Sequence, residues 1–344
     1  MTAGPEYAFV TAAPLLSDGA VKTSLSAVAR ARTLGPVLAL NSLGYDARAY
    51  SLSWTDDLPA TLQNSKAIVL DGSCSHLLQR LQGAKVVLDF IAPPSIPAPA
   101  HGQAAAMTAG SEYVAQRLRS LSKRPVEVIA EPCAGFAAEP RAARPQRHSR
   151  ALQWLAARAG VAADAWRMRL LWTGEGDDDI ASIAELAPRL ERLGREIPLA
   201  LRCLCPAGAA LEALANRLRE EDPEALRLTL EAWSPGTLAH ALAGCDLALL
   251  PGQAPADSIR LSAALHAGRF PVCHPSPYYG ALGEFAWVGD DLAEGIRWAL
   301  THPEDVLERL GRAQDYVARV HAPAAVARGW IGIFLKIGIF LKIA

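Results

Sequence analysis

The stretch DLALLPGQAPADSIRLSAALHAGRFPVCHPSPYYGALGEFAWVGDDLAEGIRWAL, residues 246–300, reads as strand, loop, helix, glycine turn and strand, in the order a nucleotide pocket requires. Asp246 to Leu250 is a short apolar run closed by Pro251 and Gly252, the pattern of a strand buried on both faces of a parallel sheet. Asp257 or Ser258 can cap a helix whose apolar Ile259, Leu261 and Leu265 lead to a stop at Gly268, and Phe270 to Cys273 supplies the next strand. In a doubly wound sheet the loops that follow such strands gather at the carboxyl edge. Helix amides there favour an anion, and a diphosphate fits that description.

Outward from this stretch the same alternation recurs. The 344 residues exceed one ordinary core and suit two α/β units of about 150 residues each. In the first half Tyr7 to Ala13 reads as a strand, Pro14 to Gly19 as a polar turn, and Val21 to Leu43 as largely helical with an interruption at Gly35-Pro36. Tyr45 to Leu52, Ala67 to Leu70, Val86 to Ile91 and Val126 to Ala130 read as further strands, with helices over Ser73 to Leu81 and Ser111 to Leu121. Pro93, Pro94, Pro97 and Pro99 stiffen a loop that is either a binding wall or a spacer. Glu131 to Arg150 mixes prolines, small residues and arginines, as an exposed connection does, followed by a short helix over Ala151 to Ala159. A second alternation begins at Met168 to Thr173 and ends in apolar helical stripes, one of them through Val306, Leu310, Ala313, Val317 and Val320. The last helix can return to the first domain.

Hydrophobic residues make up 51%, charged residues 20%, and the formal net charge is -1, which excludes a disordered chain and a polyanion-binding surface; no nucleic acid partner is expected. The six cysteines form no CxxC pair and read as buried thiols of a reducing, cytoplasmic compartment, and no secretory signal pattern opens the chain. GIFLKI occurs twice in the tail, at Gly332 to Ile337 and Gly338 to Ile343, with Lys336 and Lys342 on one face if the tract is a strand. It is too short to span a bilayer, which leaves peripheral membrane association or a plain sequence duplication as readings.

Ala264, Leu265, Gly268, Pro271 and Val272 carry a resemblance: residues 168–330 are similar to the donor-binding half of GT-B glycosyltransferases, in particular the family-4-like branch, glycosyl transferases group 1. Two acidic residues precede this motif in that family, and their positions here hold Pro255 and Ala263. The resemblance implies an α/β GT-B fold with two Rossmann-like, doubly wound parallel-sheet domains facing a cleft. It divides the chain into an acceptor-side domain at 1–145, a linker at 146–165, a donor domain at 166–320, and a C-terminal helix with the repeated tail at 321–344. It also implies transfer of a sugar from a nucleotide-activated donor to a glycan, lipid-linked or protein acceptor, as in bacterial-type glycan biosynthesis, with no cofactor and no metal. The missing acids keep two alternatives open: a catalytically inactive binding or scaffold protein, and a sugar-nucleotide epimerase.

On the donor side the resemblance singles out the loop Thr173, Gly174, Glu175 and Gly176, whose glycines let the backbone approach a ligand. The family commonly carries an Arg and a Lys near this loop; none occurs between Thr173 and Pro188, and Asp177, Asp178 and Asp179 suit a helix start instead. Arg260 can supply the missing positive charge to a phosphate, with Ser258 donating a hydroxyl, or it is an exposed arginine on an amphipathic helix. Asp257 and Glu284 are the neighbours that could stand in for the lost acids, and Tyr278, His266 and His274 lie along the same segment, as contacts or as structural groups. For a base on the N-terminal side the candidates are Asp18 after the first strand, His76 in GSCSH, and Asp89 at a strand end.

Overall fold

The apolar runs assemble into two parallel sheets in the computed structural model, which describes residues 6–18, 21–53, 56–81, 83–94, 102–133, 167–218 and 222–339. The expected linker 146–165, the expected helix Ala151 to Ala159, Pro97, Pro99 and Lys342 lie outside the described residues. The chain divides into two compact units, Met1–Ala134 with Tyr316–Ala344, and Gly135–Asp315. The helix Pro303–Val320 contains the second division, and the C-terminal segment belongs to the first unit.

In the first unit β1 (Tyr7–Thr11) is followed by a hairpin, β2 (Leu16–Asp18) and β3 (Val21–Thr23), and then by β4 (Ala47–Ser51), β5 (Ala67–Asp71), β6 (Val86–Phe90), β7 (Ala106–Ala109) and β8 (Val126–Val128). Among the described residues the sheet has six strands in the order β4-β1-β5-β6-β7-β8, all parallel. β1, β6 and β7 are buried along their whole length, which is why they are written in apolar or small residues, with Asp89 of β6 the charged exception. The helix Pro323–Lys336 lies in this core: Trp330 and Phe334 are fully buried, Trp330 meets Phe9 edge to face at 5.1 Å, and Phe334 stacks on Tyr7 at 4.5 Å.

Several expectations need correction here. The polar turn at Pro14 to Gly19 contains the strand β2, paired antiparallel with β3, so the helix begins only at Ala27, capped by Ser26. No interruption occurs at Gly35-Pro36. The helix continues to Ser42 because a π-helical turn at Arg30–Leu34 precedes the proline, and the Gly35 amide reaches back to the Arg30 carbonyl. Gly35 is required by packing, since a Cβ there would stand 2.5 Å from Pro132 Cγ. Ser73 to Leu81 winds as a 3₁₀ helix, Gly72–Arg80, rather than an α-helix. The first GIFLKI copy is helical through Lys336, not a strand, and its apolar side chains Ile333 and Phe334 serve the core. Among the described residues no helix is long and apolar enough to cross a membrane.

The second unit contains β9 (Met168–Thr173), β10 (Leu199–Cys205), β11 (Leu226–Ala232), β12 (Leu247–Leu250), β13 (Phe270–Cys273) and β14 (Trp287–Val288). Their order is β11-β10-β9-β12-β13-β14, all parallel: the chain steps outward from β9 to one side, then returns and steps outward to the other. The reversal lies between β9 and β12, where Leu247 is in register with Leu170 and Leu249 with Trp172. The helix Asp177–Gly194 covers this sheet with Ile180, Ile183, Leu186, Leu190 and Leu193. Gly194 fits only because it has no side chain, as a Cβ would stand 2.2 Å from the Ala225 carbonyl oxygen.

Candidate functional site

Two neighbouring parallel strands whose connections leave in opposite directions open a crevice at their carboxyl ends. In the second unit that crevice is bounded by the loop after β9, Thr173 to Gly176, and the loop after β12, which runs from Pro251 into the helix Asp257–His266. The two loops are tied by one side chain. Arg260, one turn into the helix, donates from Nη1 to Asp179 Oδ1 (3.0 Å) and from Nη2 to Asp179 Oδ2 (2.6 Å), and Nη1 also reaches Asp257 Oδ1 (2.7 Å). Arg260 is thus neither a phosphate-facing cation free of partners nor an exposed arginine; its side chain is 11% exposed and shared by two carboxylates.

Those carboxylates also hold the loops themselves. Asp179 Oδ2 accepts from the Glu175 amide at 2.8 Å, and Asp257 Oδ2 accepts from the Ala254 amide at 2.9 Å. Neither Asp257 nor Ser258 caps the helix: both lie inside it, Ala256 occupies the cap position, and Ser258 Oγ donates to the Pro255 carbonyl at 3.0 Å. Gly174 has an internal neighbour, since a Cβ on it would meet Trp172 at 2.2 Å and Asp179 Cβ at 2.8 Å, whereas Gly176 faces open space. At Asp179 burial opposes ionisation but is outweighed by the hydrogen bond and charge of Arg260 and by the Glu175 and Gly176 amides, so its carboxyl is held below the usual range. At Asp257 burial prevails over Arg260 and is reinforced by Asp179, so its carboxyl is pushed up. Arg260 is pushed up in turn, burial being overcome by Asp179, Asp257 and Glu175.

The remaining donor-side candidates surround this triad unevenly. His274 follows β13 and sets Nδ1 against the Pro251 carbonyl at 2.6 Å, which brings it to the same edge. Tyr278 is half-buried in the next loop and Glu284 is exposed. His266 sits in the last turn of the helix, at the end remote from Asp257, where its carbonyl accepts from Gln314. Ala263 and Pro255 are partly exposed and supply no carboxylate. Asp179, read as one of three acids at a helix start, is the site residue the sequence does not single out; its partner lies 81 residues away.

In the first unit Asp89 ends its role as a candidate base in a buried ion pair. Arg32 donates from Nε to Asp89 Oδ2 (2.9 Å) and from Nη2 to Asp89 Oδ1, which also accepts from Thr108 Oγ1 (2.6 Å). With both oxygens occupied and Asp89 only 4% exposed, it is not disposed to take a proton from an acceptor. Glu131 completes the cluster at 4.0 Å from Arg32 Nη1; burial pushes its carboxyl up, Arg32 only partly offsetting this. His76 is half-buried in the 3₁₀ helix after β5, its Nδ1 3.2 Å from the Ser73 carbonyl. Asp18 is the last residue of β2, opposite Val21.

A groove of about 760 Å³ lies at the opposite, amino edge of this sheet, against Lys66 and Lys85, the residues that precede β5 and β6. Its lysines are engaged, Lys85 with the Ile337 and Gly338 carbonyls and Lys66 with Glu6.

No protein-family model and no curated protein sequence matches the chain. Solved structures do match in fold. A glycosyltransferase from Rickettsia africae ESF-5 is 11% identical, with a TM-score of 0.62 over 97% of this chain and 98% of that one. HepE of Anabaena, in complex with UDP and glucose, is 11% identical with a TM-score of 0.60 over 96% of this chain and 100% of its own. TarM of S. aureus, in complex with fondaparinux, alpha-GlcNAc-glycerol and UDP, is 12% identical with a TM-score of 0.59; 79% of this chain is covered, and it spans 55% of TarM's length. With both sheets in place and the first two of these structures matching nearly end to end, the chain carries the GT-B fold of glycosyltransferases.

Proposed function

We propose that this protein is a glycosyltransferase that binds a nucleotide-activated sugar at the carboxyl edge between β9 and β12 and transfers the sugar to an acceptor. The observation that carries the proposal is the meeting of the β9 loop and the β12 helix through Asp179, Arg260 and Asp257 at the reversal point of the second sheet. The Arg260 guanidinium is the group suited to a departing diphosphate, since the first-turn amides of the helix Asp257–His266 already donate to the Ala254, Pro255 and Ala256 carbonyls. The complexes of HepE with UDP and glucose and of TarM with UDP support this class of donor. On the acceptor side Asp18 and His76 are retained as the candidate bases, because Asp89 is held by Arg32.

A second reading, a binding or scaffold protein without turnover, is favoured by one specific observation: the guanidinium that would face phosphate is already satisfied by two carboxylates, and Ala263 and Pro255 replace the acids of the family motif. One experiment separates the two. UDP, GDP and ADP are titrated into the folded protein by calorimetry, and the sugar nucleotides of each base that binds are then assayed for released diphosphate. Binding with turnover, abolished in His76→Ala or Arg260→Ala, supports the transferase; binding without turnover, or neither binding nor turnover from protein confirmed to be folded, rejects it and supports the binding or scaffold reading.

A further inference from the structure

We infer that a nucleoside diphosphate binds at this edge together with a proton, which Asp257 takes up, turning from an internal counter-ion into a hydrogen-bond donor to the phosphate. The inference rests on the donor-site reading above and adds a linkage that the reading does not contain.

Its basis is a charge mismatch in the geometry. One guanidinium faces two carboxylates, and with all three ionised the triad carries a net single negative charge. The groups packed around it do not correct this. Glu175 contributes further negative charge from the β9 loop. From β13 and the loop beyond it come the Cys273 thiol, which burial, offset slightly by Tyr279 and aided by Asp257, pushes up to about 12, and the Tyr279 hydroxyl, pushed up mainly by burial. Both are neutral across the physiological range. His274 faces the Pro251 carbonyl through Nδ1. Arg260 is therefore the permanent cation of this group.

A diphosphate brought to the same guanidinium adds more negative charge at short range, in a place where Arg260 is only 11% and Asp257 only 2% exposed, so that solvent screens the repulsion poorly. Of the two acids, Asp179 is held by two Arg260 nitrogens and the Glu175 amide, whereas Asp257 receives one Arg260 nitrogen and the Ala254 amide and is the more deeply buried. Asp257 is accordingly the carboxylate that releases Arg260 at least cost. Once protonated it removes one unit of repulsion, frees an Arg260 Nη1 contact, and gains an O–H that can donate to a phosphate oxygen, which a carboxylate cannot do. No bond to phosphorus is made or broken; the proton comes from solvent.

The sign follows from linkage. A ligand that binds with uptake of a proton binds more tightly as pH falls, by at most tenfold per pH unit for one proton, in the range above the acid's value in the free protein and below its value in the complex. A nucleoside diphosphate also titrates on its own terminal phosphate, with the opposite consequence, so the informative quantity is the difference between the wild-type protein and Asp257→Asn. We expect the dissociation constant for UDP, or for whichever of GDP and ADP binds, to rise with pH between about 6 and 8 more steeply in wild type than in Asp257→Asn, by up to tenfold per unit. Calorimetry of the wild type in two buffers of different ionisation heat should show an uptake of up to one proton. If Asp257→Asn does not fold, the two-buffer measurement on wild type decides at about pH 8, where the terminal phosphate of the free nucleotide is already ionised and has no proton left to release. Equal slopes, or heats independent of buffer, overturn the proton linkage while leaving the donor site standing; absence of nucleotide binding at every pH rejects the donor site and the linkage with it.

Discussion

Arg260 and Asp179, 81 residues apart in sequence, form a two-point ion pair, Nη1 to Oδ1 at 3.0 Å and Nη2 to Oδ2 at 2.6 Å. Parallel double bonds of this kind fix orientation as well as distance, and they bind the helix after β12 to the start of the helix after β9 across the reversal in the sheet.

Removing the cation leaves two buried carboxylates without a counter-charge. Arg260→Met should lower stability by about 3 to 5 kcal/mol, the cost of breaking one side of a buried pair. Arg260→Lys should recover only part of this, because an ammonium cannot make the two-point contact. Urea unfolding of the three proteins checks both expectations, and a loss below about 1 kcal/mol in Arg260→Met would show the pair to be dispensable.

Glu131 is 3% exposed and its Oε1 has no hydrogen-bond partner among the described residues. Burial raises its carboxyl above the ordinary value, with Arg32 only partly countering. A raised acid gives stability that is complete below the unfolded value of about 4.3 and is lost as pH rises through the folded value. Glu131→Gln should therefore flatten the decline in melting temperature with rising pH over that window, and should match or exceed wild type at neutral pH. A variant that is equally pH-sensitive places the titration elsewhere.

Two glycines in helices should respond with opposite signs. Helix propensity alone favours alanine over glycine by about 1 kcal/mol. Gly311, in the helix Pro303–Val320, faces open space, so Gly311→Ala should stabilise by about 0.5 to 1 kcal/mol. Gly194→Ala would set a methyl 2.2 Å from the Ala225 carbonyl oxygen, a backbone atom that cannot rotate away, and should destabilise by about 1 to 3 kcal/mol. Chemical denaturation of each single variant measures both.

Trp330 is fully buried against Phe9, and Trp330→Ala should cost about 3 to 5 kcal/mol. Its indole Nε1 has no hydrogen-bond partner among the described residues, so Trp330→Phe loses packing volume but no hydrogen bond and should cost markedly less. A comparable loss in the two variants would reveal an unrecognised role for the indole nitrogen.

The segment from β12 to β13 was legible because each strand is an unbroken apolar run and the intervening helix stops at Gly268, whose φ of 65° suits glycine. β7 was not legible: of AMTA only Thr108 belongs to the branched and aromatic residues that mark a strand, and the segment is buried inside a sheet where small residues suffice. Gly35-Pro36 looked like a break because proline removes a donor, and only the π-helical turn before it shows how the helix accommodates the loss. That the loops after β9 and β12 lie at one carboxyl edge followed from the strand pattern. The fate of Arg260 and Asp89 did not, because each is decided by a partner distant in sequence, Asp179 in one case and Arg32 in the other.

Because the helix Pro323–Lys336 closes the face of β1, this strand waits for a helix that is synthesised only after the whole of the second unit. At about 5 to 20 residues per second the ribosome needs tens of seconds to travel from Phe9 to Trp330. The second unit, from Gly135 to Asp315, is complete in sequence before that moment, whereas the first is not. The apolar side chains Tyr7 and Phe9 therefore emerge long before Trp330 and Phe334 can cover them, which makes the nascent first unit a natural client for chaperones and the stage of biogenesis most exposed to aggregation.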